Sequence, residues 1–111
     1  MTTIFKKIID GELPSEKVFE NERVLAIKDI NPVAPVHLLI LPKKEIASVQ
    51  AMSEEDLNLL PEIVQIAQKL AEEHGIADNY RLLTNNGSLA GQTVFHLHFH
   101  VIGGSKLGPM A

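Results

Sequence analysis

The sequence predicts an α+β fold with a five-stranded antiparallel sheet, one short helix and one long helix. Short apolar segments recur along the chain and are separated by turn-forming residues, which is typical of strands. One long segment has apolar residues at three- and four-residue spacing, which is typical of an amphipathic helix. Short connections between neighbouring strands favour antiparallel pairing. The 111 residues suffice for one domain, 1–111, with one modest core.

The first half of the chain is predicted to form a helix and three strands. These elements are a helix at residues 4–9 and strands at residues 17–20, 23–28 and 36–41. Thr3 is placed to cap the helix, and Asp10-Gly11 ends it. Asn21-Glu22 is a turn signal between the first two strands. The segment 31–35 holds two prolines and must be a loop, because prolines are excluded from central strands.

The second half is predicted to form the long helix and two further strands. These elements are a helix of about five turns over residues 54–74, a strand at 80–85 and a long strand at 92–102. Ser53 is the expected N-cap, acidic residues follow it in the first turn, and Gly75 closes the helix. Pro61 lies beyond the first turn of this helix, so a kink is expected there.

Composition excludes several classes of function. The chain carries 10 Lys+Arg against 14 Asp+Glu, a formal net charge of −4, so a nucleic-acid partner held by a basic field is not expected. An anionic ligand must then be held by local hydrogen bonds. The absence of Cys excludes disulfides, thiol catalysis and thiolate-bound metals, and fits a cytoplasmic, reducing location. No apolar stretch is long enough for a signal peptide or a membrane span.

Three of the five His lie at alternate positions in the last predicted strand: His96, His98 and His100. Because side chains alternate across a strand, the three imidazoles are expected on one face, in a row about 13 Å long. That face is expected to hold Gln92, Val94, His96, His98, His100 and Ile102. The opposite face is expected to pack on the core through Thr93, Phe95, Leu97, Phe99 and Val101.

Three interpretations of this row compete. It can be a polar strand face whose imidazoles are only solvated. It can be a metal site, although the outer imidazoles are too far apart to share one ion and no carboxylate lies in the strand. It can act at phosphorus, because a neutral imidazole is a nucleophile near pH 7 and its neighbours can orient it and bind phosphoryl oxygens. The preceding loop favours phosphorus, since Gly87, Gly91, Gln92 and Thr93 offer donors that bind an anion without net positive charge.

The chain resembles the histidine triad superfamily, in its nucleotide-binding (Hint) branch of bacterial type. The triad signature is His96-Leu97-His98-Phe99-His100-Val101-Ile102, flanked by Gly91-Gln92-Thr93-Val94 and Gly103-Gly104. Similarity extends over nearly the whole chain, through Ile4-Phe5-Lys6-Lys7-Ile8-Ile9, Asp29-Ile30-Asn31-Pro32-Val33-Ala34-Pro35-Val36-His37, Ile40-Leu41-Pro42-Lys43 and Leu107-Gly108-Pro109-Met110.

The resemblance implies a homodimer with a continuous ten-stranded sheet, and hydrolysis of the P–N bond of purine nucleoside phosphoramidates. No cofactor is required, and zinc is expected to be non-essential. By position, His98 is the nucleophile that becomes nucleotidylated, His100 hydrogen-bonds the phosphate, and His96 and His37 complete an imidazole relay. The residues expected at the nucleotide are Asp29 at the ribose, Asn85, Gly91, Gln92 and Thr93 at the phosphate, and Phe5, Ile8, Ile27, Ile30 and Leu39 around the base.

Two other functions remain open at this point. A dinucleoside polyphosphate hydrolase also uses a histidine triad, although the Gly103-Gly104 ending argues against it. A non-catalytic module that binds purine nucleotide or zinc as a regulator is the other. Thr93 stands where the branch commonly has Ser, and the tail lacks the Trp that some relatives carry near the leaving group.

Several of these residues also have purely structural explanations. Phe5 and Ile8 can be simple core residues. Asp29 can be a turn residue, and His37 can be a hydrogen-bonded core histidine. His74, at the end of the long helix, is expected to interact with the helix dipole and is placed outside the site.

Overall fold

The computed structural model describes residues 2–110 and confirms the five-stranded antiparallel sheet, with a helix on each face. The helices and strands are α1 (Ile4–Ile9), β1 (Lys17–Glu20), β2 (Val24–Lys28), β3 (Val36–Pro42), α2 (Leu60–Glu73), β4 (Tyr80–Leu83) and β5 (Phe99–Gly103). The strand order across the sheet is β1-β2-β3-β5-β4, so the last strand lies between β3 and β4.

Side-chain caps start α1 and form the turn between β1 and β2, as their sequences predict. The Thr3 hydroxyl accepts a hydrogen bond from the Lys6 N–H at 3.1 Å, which satisfies a free donor at the start of α1. The Asn21 side-chain oxygen accepts from the N–H groups of Arg23 and Val24 at 2.9 and 2.7 Å. Such a local turn brings β1 and β2 into antiparallel pairing.

The two faces of the sheet bury separate apolar clusters. One cluster joins the sheet to α2, and its buried members are Val24, Ala26, Leu38, Ile40, Ile63, Ile66, Ala67, Leu70, Ala71, Ile76 and Val101. The other joins the sheet to α1, and its buried members are Phe5, Leu25, Ile27, Leu39 and Leu41. Both helices therefore dock on the sheet by burying apolar side chains.

The pairing of β3 with β5 places two imidazoles on the α1 face. Leu39 lies directly opposite His100, so these side chains share a face, and Leu39 belongs to the α1 cluster. His37 lies two residues before Leu39 on the same strand and points to the same side. The register thus brings together two histidines that are far apart in the chain.

The start of α2 differs from the prediction. Residues Asp56–Leu59 form a 3-10 turn, and the α-helix begins only at Leu60. Pro61 is therefore in the first turn of α2, where a missing N–H costs nothing, and the predicted kink there is wrong. Ser53 does cap the preceding turn, since its hydroxyl accepts from the Asp56 N–H at 3.1 Å. Within residues 2–110, neither helix is long and apolar enough to cross a membrane.

The last strand is shorter than predicted, because β5 begins at Phe99 and residues 92–98 are not strand. This segment runs beside the loop that follows β3, where the Leu97 N–H donates to the Ile46 carbonyl at 2.6 Å. An irregular loop provides no continuous ladder, so a strand does not form there.

The alternation predicted for residues 92–102 holds only in part. Leu97 and Val101 are fully buried, as expected for the core face. Thr93 is exposed and Phe95 is 52% exposed, so their assignment to the core is wrong. The physical reason is the missing ladder, since only a regular strand keeps the two-residue alternation.

Candidate active site

The imidazole of His98 is held in one tautomer by the backbone carbonyl of His96. Its Nδ1 lies 2.7 Å from the carbonyl oxygen of His96, so Nδ1 carries the proton and donates it. The neutral ring then has a lone pair on Nε2. Burial is the main cause that lowers the pKa of His98, whose side chain is only 8% exposed. His98 is therefore neutral near pH 7 and carries a nucleophilic nitrogen.

His96 has a supporting position. Its Nε2 lies 2.7 Å from the Pro42 carbonyl oxygen at the end of β3, and donates to it. The residue is only 2% exposed, and burial lowers its pKa. The His96 ring therefore anchors residues 92–98 to the sheet. The backbone carbonyl of His96 in turn orients the His98 ring.

His37 and His100 form a directional pair. The Val33 N–H donates to His37 Nδ1 at 3.1 Å, so the proton of a neutral His37 is on Nε2. His37 Nε2 lies 2.9 Å from His100 Nδ1, and donates to it. His100 must then carry its own proton on Nε2. Burial, followed by the neighbouring His98 and His37, lowers the pKa of His100 to about 4, so this ring is also a neutral donor at pH 7.

Asp29 is the carboxylate beside this pair. Its Oδ1 accepts from the Asn31 N–H at 2.8 Å, which is the turn role that the sequence allows. Its Oδ2 lies 3.3 Å from His37 Nε2. The negative charge of Asp29 raises the pKa values of His37, His98 and His100, which opposes the effect of burial.

Phe5 of α1 covers the imidazoles from one side. Its ring meets His98 edge-on, with centroids 4.8 Å apart, and meets His96 at 6.4 Å. Phe5 is itself 6% exposed and packs in the α1 cluster. The Phe5 ring therefore excludes water from one side of both imidazoles. Phe5 is both a core residue and a neighbour of the candidate site.

The loop between β4 and β5 is braced by the side chain of Gln92. Its Oε1 accepts from the Gly87 N–H at 2.8 Å, and its Nε2 donates to the carbonyls of Ala47 and Val94 at 2.8 and 3.1 Å. Gln92 is 3% exposed. Its side chain is thus engaged within the protein, while the sequence prediction placed it at the phosphate.

The main-chain donors of this loop are also partly used. The N–H groups of Gly91 and Gln92 donate to the carbonyls of Ser88 and Gly87 at 3.1 Å. Gly91 has φ of +101°, and a Cβ there would lie 3.6 Å from Asn85 Nδ2. Asn85 and Gly91 are therefore neighbours, as expected, and Thr93, two residues after Gly91, is exposed.

The predicted base-binding residues differ in exposure. Phe5, Ile27 and Leu39 are buried in one cluster, and Ile8 packs against it. Ile30 follows Asp29 on the loop after β2, and 86% of its surface is exposed. An apolar side chain so exposed is available to a ligand.

Several groups that arrange the imidazoles carry no residue-type signal. The Val33 N–H, the Pro42 carbonyl and the His96 carbonyl are main-chain groups, which any residue type carries. The Thr84 hydroxyl donates to the His98 carbonyl at 2.7 Å and holds the His98 backbone beside β4. Only this last residue has a side-chain signature, a hydroxyl at the end of a strand.

The same residues can be tested for a fit to a metal. Within residues 2–110, Asp29, His37 and His100 have ligand atoms within 4.8 Å of one another, of the types that zinc binds. A metal on His37 Nε2 would move the ring proton to Nδ1, where it would face the Val33 N–H. Metal-bound imidazoles instead donate their second N–H to an acceptor. The arrangement fits a proton relay better than a metal centre.

Together these contacts produce a nucleophile beside a hydrogen-bond donor. His98 has a lone pair on Nε2, His100 has a proton on Nε2, and their ring centroids are 5.1 Å apart. A tetrahedral anionic centre between them can be attacked by one ring while an oxygen accepts from the other. His74 lies outside this group, where its Nδ1 contacts the Leu70 carbonyl at the end of α2.

Comparison with known proteins agrees with this arrangement. The chain is 55% identical to a HIT-like protein of Chlamydia pneumoniae over 109 residues, which cover 98% of this chain and 99% of that protein. It is 46% identical to the purine nucleoside phosphoramidase of Escherichia coli strain K12 over 109 residues, covering 97% of this chain and 92% of that one.

Solved structures show the same fold. A HIT family hydrolase from Clostridium thermocellum superposes with a TM-score of 0.93 at 55% identity, covering 97% of this chain and 95% of that one. A HIT family hydrolase from Legionella pneumophila superposes with a TM-score of 0.95 at 43% identity, covering 99% and 100%. The family model of the HIT domain matches residues 10–107. The chain therefore belongs to the histidine triad (HIT) domain family, and its relatives indicate a hydrolase.

Proposed function

We propose that this protein is a purine nucleoside phosphoramidase that acts through a nucleotidyl-histidine intermediate on His98. The hydrogen bond from His98 Nδ1 to the His96 carbonyl carries the proposal, because it leaves the lone pair on Nε2 of a ring that is neutral at pH 7. The Escherichia coli relative named a purine nucleoside phosphoramidase supports the choice of substrate.

The proposed reaction has two steps. His98 Nε2 attacks the α-phosphorus, the P–N bond breaks, and the amine leaves with its electron pair and takes up a proton from solvent. Water then attacks the phosphorus and releases a proton to solvent, the bond to Nε2 breaks with its electron pair returning to the ring, and the nucleoside monophosphate leaves. His100 Nε2–H donates to a phosphoryl oxygen in both steps, and His37 holds His100 in the donating tautomer.

The nucleotide is proposed to lie along the α1 face of the sheet. Asp29 accepts from the ribose hydroxyls, and Asn85, Gly91, Gln92 and Thr93 surround the phosphate, with Gln92 bracing the loop through its side chain. The base contacts the apolar residues Phe5, Ile8, Ile27, Ile30 and Leu39, of which Ile30 is exposed before the ligand binds. No metal is required in this proposal, since the Val33 N–H opposes metal binding at His37.

A homodimer with one ten-stranded sheet is also proposed, joined at β4. The sheet has two edges, β1 and β4. The β1 edge carries the Lys17–Glu20 ion pair and a register irregularity, both of which protect an edge from pairing. The β4 edge is regular in register against β5 and has apolar residues at Leu82 and Leu83. A monomeric mass by light scattering at micromolar concentration would contradict the dimer.

The remaining proposals concern the whole chain. Residues 1–111 are proposed to form a single HIT domain, in line with the match over residues 10–107. A cytoplasmic location is proposed, because a chain without Cys forms no disulfides and needs no oxidising compartment to fold.

Intact-mass spectrometry after mixing with an adenosine phosphoramidate tests the central claim. The wild type should gain one nucleotidyl group, and His98→Ala should gain none and lose turnover while remaining folded. His74→Ala is the matched control, because it removes an imidazole outside the site and should turn over normally. Full turnover in His98→Ala would refute the proposal.

Three further measurements distinguish this function from the alternatives. Binding of adenosine monophosphate without any adduct or turnover would identify a non-catalytic module. Faster turnover of a dinucleoside polyphosphate than of the phosphoramidate would identify the polyphosphate hydrolase. Turnover that survives exhaustive chelation would show that no metal is essential.

A further inference from the structure

The single N–H of His37 faces two acceptors. His37 Nε2 lies 2.9 Å from His100 Nδ1 and 3.3 Å from Asp29 Oδ2. The Val33 N–H donates to Nδ1 of the same ring, which favours the proton on Nε2. A neutral donor that already has an imidazole acceptor does not need a carboxylate as well, so the position of Asp29 requires a separate explanation.

The carboxylate of Asp29 is held in place from its own loop. The backbone N–H of Asp29 donates to the His37 carbonyl at 3.0 Å, which continues the pairing of β2 with β3 beyond the end of β2. Its Oδ1 accepts from the Asn31 N–H at 2.8 Å. These two contacts fix the backbone and one carboxylate oxygen, and they leave Oδ2 directed at His37. The side chain is 18% exposed, so water screens it only in part.

Asp29 is the carboxylate that three of the imidazoles share. Its charge acts on His37 of β3, on His98 and on His100 of β5. The fourth imidazole, His96, is influenced instead by Glu45 from the loop after β3 and by Lys6 from α1. The other charges acting within the group are those of the imidazoles on one another.

We propose that Asp29 is a positioning residue of the imidazole pair, which holds the proton on His37 Nε2 and thereby keeps His100 as a donor toward the phosphate. The carboxylate also balances positive charge that develops on the rings when His98 is nucleotidylated, because that ring keeps its Nδ1 proton. The effect on turnover rests on the proposed phosphoramidase function. Under that function the ribose shares Oδ2 with His37, so Asp29 links the nucleoside end of the substrate to its phosphate end.

The test compares Asp29→Asn with Glu45→Gln, which removes the same charge from the other side of the imidazole group. Titration of the ring nitrogens by NMR is the first measurement, and the pH profile of kcat/KM is the second. In Asp29→Asn the pKa values of His37, His98 and His100 should fall, because the carboxylate raises them in the wild type. The acid limb of kcat/KM should then move to lower pH, and kcat should fall on the order of 10-fold. In Glu45→Gln, His96 should be the one imidazole of the four whose pKa falls.

Other results would overturn the proposal. A rise in KM with an unchanged acid limb and unchanged imidazole titrations would show that Asp29 only binds the nucleoside. Equal shifts of the three rings in both variants would show a general effect of net charge. Asparagine keeps an acceptor for the Asn31 N–H and should fold; Asp29→Ser, which also keeps one, is the second variant. If the wild type does not hydrolyse phosphoramidates, the proposed function fails, and the NMR titration alone decides the role of Asp29.

Discussion

The ring of Phe5 meets the imidazole of His98 edge-on, with centroids 4.8 Å apart and the ring planes inclined at 79°. The contact joins a core residue of α1 to the candidate nucleophile. Burial by this and neighbouring side chains is the main cause that lowers the pKa of His98. This contact therefore contributes both to the packing of α1 and to the neutral state of His98.

Truncation of Phe5 should change both stability and titration. Phe5→Ala should lower the free energy of unfolding by about 3–5 kcal/mol, because it removes a buried aromatic ring. Water then reaches the imidazole, so the pKa of His98 should rise toward its ordinary value and the acid limb of kcat/KM should move to higher pH. Denaturant unfolding and NMR titration measure these effects, with Phe5→Leu as the milder control. A folded Phe5→Ala protein with an unchanged His98 pKa would contradict the assignment.

The brace formed by Gln92 should be detectable as local stability. Gln92→Leu leaves the Gly87 N–H and the carbonyls of Ala47 and Val94 without their partner, so the free energy of unfolding should fall by about 1–3 kcal/mol. Amide exchange at Gly87 should become faster. Gln68→Leu, on the exposed side of α2, is the matched control and should change stability by less than about 0.5 kcal/mol. An unchanged amide exchange rate at Gly87 would show that the Gln92 side chain does not stabilise this loop.

Stability should fall on mild acidification. The pKa of His100 is about 4 in the folded protein and about 6.5 in the unfolded chain, so the unfolded state binds a proton first as the pH falls. The stability is fully present above pH 6.5 and is lost progressively toward pH 4, by on the order of 3 kcal/mol for this group. Burial of His37, His96 and His98 acts in the same direction.

The measurement is the free energy of unfolding in urea at several pH values between 7 and 4. His100→Asn should show a shallower decline than the wild type, since it lacks the most strongly shifted ring. Equal slopes for the two proteins would mean that His100 is not the group responsible.

Gly103 at the end of β5 and Gly108 in the C-terminal tail differ in the space around them. A Cβ on Gly103 would lie 2.9 Å from the Asn79 carbonyl oxygen and 3.0 Å from Ile76 Cδ1, so Gly103→Ala should destabilise the fold by about 1–3 kcal/mol. Gly108→Ala meets nothing within 4 Å and should be neutral. Thermal unfolding of the two variants compares them directly, and equal melting temperatures would contradict the close approach.

Local signals in the sequence predicted the elements that depend on local contacts. Thr3 begins α1 through its own hydroxyl, and Asn21 forms the hairpin turn through its own amide, so both features were readable from residue type. The strand bounds of β1 were also predicted correctly, at residues 17–20. The two-residue spacing of His96, His98 and His100 predicts one group of imidazoles. The resemblance to the histidine triad superfamily adds His37 to that group.

Features that depend on distant partners were not predictable in this way. The end of the strand pattern at Phe99 follows from the loop beside residues 92–98, which no local pattern describes. Pro61 was misplaced because the preceding turn is 3-10 and the α-helix starts later. The tautomers of His37 and His98 depend on the Val33 N–H and the His96 carbonyl, which carry no residue-type signal.

The position of β5 between β3 and β4 has a consequence for synthesis of the chain. β5 leaves the ribosome after the other four strands, yet it occupies an interior place in the sheet. A nascent chain that ends before residue 96 carries His37 and Asp29 but lacks His98 and His100, the ring that His37 contacts. The imidazole group is thus completed only when β5 inserts between β3 and β4.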